Sequence, residues 1–160
     1  TIAYWMMGSL AGAQWGELAV IAPIIMASIL FFWTQSRVLN LMLLGDESAI
    51  TMGTDLHAYR QWYLLISSLI VGFAVYSAGM IGFVGLIVPH VIRMFTGPDH
   101  KRLLPVAALV GAIFLVVADG LCRVIIPHTE LPIGILISMI GAPSFIYLMI
   151  KKTYGFGGSD

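Results

Sequence analysis

The sequence is poor in charge and has a single cysteine. Of its 160 residues, 10% are charged and 59% are hydrophobic. In a soluble globular domain, about 25% of the residues are charged and about 45–50% are apolar. This balance argues against a water-soluble domain and predicts that lipid surrounds most of the chain. Cys122 has no second cysteine with which to form a disulfide, and its apolar surroundings predict a small buried side chain.

Several functional motifs are also missing. Eight basic and eight acidic residues give a net charge of zero, and no basic run is long enough to predict a nucleic-acid partner. No G-x-x-x-x-G-K-[ST] motif is present, so we expect no ATP hydrolysis by this chain. The sequence also shows no Ser-His-Asp or paired-carboxylate arrangement of the kind that would predict an enzyme. The chain opens with neither an initiator methionine nor a secretory signal, which favours a fragment or a processed chain.

Long stretches without Asp, Glu, Lys or Arg are the main positive feature. Crossing about 30 Å of hydrocarbon takes about 20 apolar residues in a helix. The stretch 61–92, at about 48 Å as one helix, is too long for one span, and its glycines predict a break near Gly79–Gly82. The charge-free stretches are 18–36, 61–92, 103–118 and 131–150.

The basic residues predict the orientation of these stretches. Seven of the eight lie in the loops 37–60 and 93–102 or in the tail after residue 150, and Arg123 is the exception. Because Lys and Arg favour cytoplasmic loops, the chain must cross twice between the two loops. We therefore predict an all-α, polytopic transmembrane bundle whose residues 1–16 form an outer, interfacial segment. The five predicted spans are 17–36, 61–79, 82–95, 103–123 and 133–151.

The loop 37–60 has features of a folded element. Gly45 interrupts an apolar run, Asp46 and Glu47 suit the N-terminus of a new helix, and Gly53 suits its end. The loop is longer than the roughly 2–8 residues usual between helices of a bundle. Two interpretations stay open at this point: a docking element for a partner, or an amphipathic helix lying on the membrane surface.

The order of the sequence motifs resembles one known family. Glu47-Ser48-Ala49 followed by Gly53 is similar to the E-A-A-x-x-x-G signature of bacterial ABC import permeases. The blocks at 4–15, 44–53, 82–93, 118–123 and 130–152 resemble, in order, those of the FecCD-type permeases, which import ferric siderophores, haem and vitamin B12. These permeases have about ten spans, and this chain resembles only their C-terminal half.

The resemblance implies a function for the loop. Asp46, Glu47, Ala49 and Gly53 would lie in short cytoplasmic helices that couple the permease to two ABC ATPase subunits. ATP would be used by those subunits, and this chain would itself bind no cofactor and no metal. The permease would work by alternating access in the bacterial cytoplasmic (inner) membrane, among membrane lipids.

The resemblance also implies roles at the outer face. Arg123 and Glu130 would dock a periplasmic or lipid-anchored substrate-binding protein. A gate and a translocation pathway would involve Met6, Met7, Gly134, Ser138 and Gly141, the three small residues allowing either cargo or close helix packing. The partner permease would be a second copy or a paralogue. The cargo stays open among siderophore, haem, cobalamin and metal oxyanion.

Polar residues within apolar stretches allow other interpretations. Asp119 and Arg123 have the i,i+4 spacing of a structural helix pair. His90 with Asp119 would suit the proton relay of an ion-coupled secondary transporter, and the same residues would serve an intramembrane enzyme. A metal site of Asp119, His128 and Glu130 is a further alternative, although the spacing matches no metal motif.

Overall fold

A computed structural model describes residues 2–129 and 131–156 of the chain. All regular structure within these ranges is helical, which confirms the predicted all-α class. The helices are α1 (Ile2–Met6), α2 (Trp15–Thr34), α3 (Ser36–Leu43), α4 (Asp46–Thr51), α5 (Leu56–Ala78), α6 (Val84–Thr96), α7 (His100–Ile125) and α8 (Ile133–Phe156).

Four of the helices are long and apolar enough to cross a membrane: α2, α5, α7 and α8. They correspond to four of the five predicted spans. The fifth, predicted at 82–95, corresponds to α6, which has 13 residues. Its length of about 20 Å is less than the roughly 30 Å thickness of the hydrocarbon core. Helix α6 is therefore shorter than a full membrane span, unlike the other four helices.

A glycine-containing turn separates α5 from α6 where the sequence predicts a break. Gly79 follows α5 with a φ of +75°, and Phe83 precedes α6 in the left-handed region, with a φ of +66°. The turn is covered by the segment that follows α1, because the backbone N–H of Ser9 donates to the carbonyl of Ala78 at 2.8 Å. The late start of α6 therefore follows from a turn that is packed into the fold.

Helix α7 is central to the packing. It contacts α2, α3, α6 and α8. One buried cluster, at the C-terminal part of α7, consists of Ala118, Cys122, Ile133 and Ile137. A second, near the start of α7, consists of Val88, Ile92 and Leu103. We call the end of the bundle that includes Arg37, Arg93 and Lys101 the basic end, and the end near Arg123 the opposite end.

The outer faces of the long helices are strongly apolar. Trp15 is 88% exposed and Val116 is 70% exposed, and many other large hydrophobic side chains are similarly open. In water such surfaces would be costly, at about 25 cal/mol for each Å² of apolar area. Lipid or further transmembrane helices are the environments that suit these faces.

Candidate functional site

The segment from α3 to α4, residues 36–53, turns at two glycines. Gly45 has a φ of +91° between the helices, and Gly53 has a φ of +82° after α4. The N–H of Gly53 donates to the carbonyl of Ile50 at 2.9 Å, and the N–H of Thr54 donates to the carbonyl of Ala49 at 2.9 Å. This pair of bonds is a Schellman cap, which needs the left-handed backbone that glycine adopts without strain. The structure therefore places the helix boundaries where the sequence predicts them.

Helix α4 is fixed between α3 and α5. Ala49 is fully buried, whereas Asp46 and Glu47 are exposed in the first turn of the helix. The carboxylate of Asp46 accepts two hydrogen bonds from the guanidinium of Arg60 on α5, one of them at 3.1 Å. The hydrogen bond from Arg60 holds the pKa of the Asp46 carboxyl below its usual value. The helix is thus anchored by a buried side chain on one face and an ion pair at its N-terminus.

Asn40 of α3 joins this segment to the start of α7. Its side-chain Nδ2 donates to Oδ1 of Asp99 at 2.9 Å. Its Oδ1 accepts from the backbone N–H of His100 at 2.9 Å and lies 2.7 Å from Nδ1 of the same histidine. Asp99 also caps α7, accepting from the N–H of Lys101 at 3.0 Å. The hydrogen bond from Asn40, followed by that from Lys101, lowers the pKa of Asp99.

Two further hydrogen bonds connect elements at the basic end. Nε1 of Trp33, in the last turn of α2, donates to the carbonyl of Lys101 at 2.9 Å. The hydroxyl of Tyr63 on α5 donates to Oε1 of Gln35 at 2.8 Å. Sequence reasoning missed all of these partners. Only Asp99 had a local indication, since aspartate before a helix is a common N-cap.

A cleft lies at the opposite end, between the loop after α1 and the end of α7. Its volume is about 330 Å³, and its lining includes Ser9, Asp119, Arg123, His128 and Thr129. Nε of Arg123 donates to Oδ2 of Asp119 at 3.0 Å. The i,i+4 pair expected from the spacing is therefore formed. The Arg123 side chain is 60% exposed, so its terminal nitrogens can face a partner.

Glu130, the second predicted docking residue, lies outside the described residues. The alternative metal site of Asp119, His128 and Glu130, whose spacing matches no metal motif, includes that residue and so stays untested. Within residues 2–129 and 131–156, no three His, Cys, Asp or Glu side chains are grouped as metal ligands would be.

The predicted gate and pathway residues fall into two groups. Met6, Met7, Gly134 and Ser138 share a surface groove of about 420 Å³ with Met80, Ile135 and Met139. Gly141 lies outside this groove, facing α6. The groove brings α1 and α8 together although they are far apart in the chain.

Gly134 and Gly141 of α8 are sites of close packing. A Cβ built on Gly134 would overlap the carbonyl oxygen of Met7, and one built on Gly141 would lie 2.6 Å from Cβ of Phe83. Ser138 is exposed between them, whereas both glycines are buried. Small residues thus let α8 approach the backbone after α1 and the start of α6. Whether this helix also lines a pathway stays a prediction.

His90 and Asp119 lie at different levels of the bundle. His90 is half-buried on α6, between Val88 and Ile92 of the cluster that includes Leu103. Asp119 is 16 residues beyond Leu103 on α7, a rise of about 24 Å, and it is paired with Arg123. This geometry does not favour the relay that the sequence left open.

A family model for the FecCD transport family matches residues 1–151. The chain belongs to this family. It is 44% identical over 148 residues to the hemin transport system permease protein of Yersinia pestis, covering 92% of this chain and 44% of that protein. It is 43% identical to the cobalamin import system permease protein of Halobacterium salinarum, covering 91% of this chain and 39% of the relative.

Other relatives agree. The Fe(3+) dicitrate transport system permease protein of Escherichia coli is 42% identical, with 92% of this chain and 46% of that protein covered. A solved structure of a metal-chelate type ABC transporter in an inward-facing conformation superposes with a TM-score of 0.87 at 35% identity, covering 94% of this chain and 48% of that one. The chain therefore spans less than half the length of these relatives.

Family membership explains the composition. Four membrane-length helices and the match to import permeases identify a multi-pass protein of the cytoplasmic (inner) membrane. The exposed apolar faces of α2, α5 and α7 are then faces toward lipid or toward other transmembrane helices.

Proposed function

We propose that the chain is the C-terminal half of the permease subunit of an ABC importer that moves a metal chelate across the inner membrane by alternating access. The cargo class is a ferric siderophore, haem or cobalamin, as in the relatives. ATP is hydrolysed by two separate ATPase subunits, and a second permease copy or a paralogue completes the pathway. The observation that supports this most directly is the capped α3–α4 segment at the basic end.

The α3–α4 segment has the properties of a coupling element. Its helix α4 is rigidly capped at Gly53 and seated through Ala49. Asp46 ties α4 to Arg60 of a long helix. Asp46, Glu47, Ala49 and Gly53 therefore form a stiff unit that moves together with the spans when ATPase subunits bind it. A flexible loop would absorb the same displacement.

The opposite end receives the cargo in this proposal. Arg123, held by Asp119 and largely exposed, faces an acidic group on a substrate-binding protein, and Glu130 is the second residue expected to take part in docking. Charge pairs of this kind speed and orient docking more than they raise affinity. Met6, Met7 and Ser138 line the entry groove, and Gly134 and Gly141 allow α8 to pack closely beside it.

The coupling role can be tested in the full-length permease co-expressed with its ATPase subunits. Gly53→Val forces a β-branched residue into a backbone with positive φ, so we expect loss of ATPase subunit co-purification and of ATP-dependent uptake. Gly53→Asn is the matched control, because asparagine tolerates the left-handed conformation. It should retain both properties.

Uptake and assembly that were unchanged in Gly53→Val combined with Glu47→Lys would contradict the proposal. Uptake that continued without ATP and collapsed with the proton gradient would indicate a secondary transporter instead. Hemin, cobalamin and ferric dicitrate are the substrates to supply, since the relatives described above carry these names.

A further inference from the structure

Asn40 is the one polar side chain of α3 that connects the α3–α4 segment to α7 within the described residues. Both polar atoms of its side-chain amide form contacts. Nδ2 donates to Asp99, and Oδ1 accepts from the backbone N–H of His100 and lies beside the imidazole ring of the same residue. The contact joins positions that are 59 and 60 residues apart. Chain connectivity alone would link this segment only to α2 and α5.

Helix α7 extends from that contact to the cleft at the opposite end. His100 is its first residue, and Asp119 and Arg123 lie near its last turn. The rise from His100 to Arg123 is about 35 Å. The helix is also held by Lys101, whose carbonyl accepts from Trp33. One uninterrupted helix therefore connects the α3–α4 segment with the cleft that includes Arg123.

We infer that Asn40 is a positioning residue that transmits movement of the α3–α4 segment to α7 and hence to the cleft at the opposite end. This inference depends on the proposed coupling function. Asn40 contacts no cargo and no ATPase subunit in this proposal. It acts by holding the start of α7 in register with α3.

The chemistry of the contact offers a reciprocal exchange. Asn40→Asp keeps the acceptor for His100 but places a second carboxylate against Asp99, so a hydrogen bond is replaced by repulsion. Asp99→Asn alone keeps both the cap of α7 and an acceptor for Asn40, since asparagine caps as well as aspartate. The double variant Asn40→Asp/Asp99→Asn removes the repulsion between the two carboxylates. It does not restore every bond, because Oδ1 of Asp99 accepts from both Asn40 and Lys101, and an amide nitrogen in its place would donate to the carboxylate at position 40 but could not cap α7.

The experiment uses the full-length permease assembled with its ATPase subunits in lipid nanodiscs. A bimane fluorophore on Val124→Cys, an exposed position at the end of α7, reports its environment before and after addition of Mg-ATP with vanadate. Cys122 is buried, and protein without the Val124 substitution, taken through the same labelling, is the blank. ATPase subunit content and melting temperature are measured for every variant.

We expect Asn40→Asp to keep its ATPase subunits while the bimane response falls to about a tenth of wild type, since a hydrogen bond to a charged group contributes about tenfold or more to an equilibrium. Asp99→Asn should respond within about twofold of wild type, and the double variant should recover part of the response lost in Asn40→Asp, because the repulsion between the carboxylates is gone. Recovery separates transmission from general damage to the fold.

Three results would overturn the inference. One is a wild-type bimane response in Asn40→Asp, and another is a double variant whose response is no larger than that of Asn40→Asp. The third is loss of ATPase subunits in Asn40→Asp, because Asn40 would then act in seating the partner. Failure of the proposed function is distinguishable, since it would show as unchanged ATPase binding in Gly53→Val.

Discussion

Gly134 lies so close to Met7 that a Cβ on the glycine would overlap the carbonyl oxygen of the methionine. The backbone after α1 and the first turn of α8 are thereby in direct contact. We expect Gly134→Ala to destabilise the permease by about 2 kcal/mol, because overpacking against backbone forces one of the two segments to move. Thermal unfolding of the full-length permease in detergent would measure the change.

Gly120 provides the control for that substitution. It is helical and exposed, and a Cβ there meets no other atom. Gly120→Ala should be neutral or stabilising by up to about 1 kcal/mol, from helix propensity alone. Equal changes in stability for Gly134→Ala and Gly120→Ala would show that the close contact between Gly134 and Met7 does not affect stability.

The hydroxyl of Tyr63 is expected to contribute to stability through Gln35. Tyr63 is 7% exposed and its hydroxyl donates to Oε1 of Gln35 at 2.8 Å. Tyr63→Phe should cost about 1 kcal/mol, because it removes the bond and leaves the amide oxygen unpaired. Tyr59→Phe, at an exposed position one turn earlier, should change the melting temperature much less. A reversed order would contradict the assignment.

Arg123 is expected to govern the rate of docking with a substrate-binding protein. Arg123→Gln should slow association by about tenfold at low salt, and the difference should shrink as ionic strength rises, because long-range attraction is screened. Association can be followed by biolayer interferometry on the permease in nanodiscs. Asp119→Asn keeps the guanidinium charge and should change the rate less. Identical rates at every salt concentration would exclude this role.

The ion pair between Asp46 and Arg60 predicts a pH dependence. The pKa of Asp46 is lower in the folded chain than its usual value. Such a carboxylate stabilises the fold above its unfolded pKa, and the contribution is lost as pH falls through the folded value. Asp46→Asn should therefore lower the melting temperature at pH 7, and the difference from wild type should begin to shrink near about pH 4 and vanish only at pH values below the folded pKa.

Asp55→Asn is the comparison for Asp46→Asn. Asp55 caps α5 by accepting from the N–H of His57 at 3.0 Å, and asparagine is about as effective at that position. We expect this variant to melt close to wild type. If the effect of Asp46→Asn persisted unchanged at low pH, the ion pair would not be its source.

The parts of the fold that sequence predicted are those set by local chemistry. Gly45, Asp46 and Gly53 mark the ends of α4 because helix capping depends on neighbouring residues. The break near Gly79 follows from glycine content in the same way. Apolar length was enough to find α2, α5, α7 and α8, since lipid imposes one thickness on all of them.

The relationships that sequence did not predict join distant positions. Asn40 appears as an ordinary polar residue in the loop until α7 places His100 and Asp99 beside it. The shortness of α6 follows from the left-handed backbone of Phe83 and from the hydrogen bond between Ser9 and Ala78 at the preceding turn. Neither feature leaves a periodic pattern in the sequence that could predict it. For Gly134 and Gly141, the sequence was compatible with either a space for cargo or close helix packing. The fold shows that Met7 and Phe83 occupy the space beside these glycines.

The turn between α5 and α6 is enclosed by segments from both ends of the chain, with Ser9 on one side and Gly134 and Gly141 of α8 on the other. During synthesis, α8 leaves the ribosome after α2, α5 and α7. Until it arrives, the segment around Ser9 covers the turn on one side only, and hydrocarbon offers the remaining non-helical peptide groups no hydrogen-bonding partner. Completion of α8 is thus the step that covers this turn on its second side, and a nascent chain that stops short of it would present the turn to quality-control proteases.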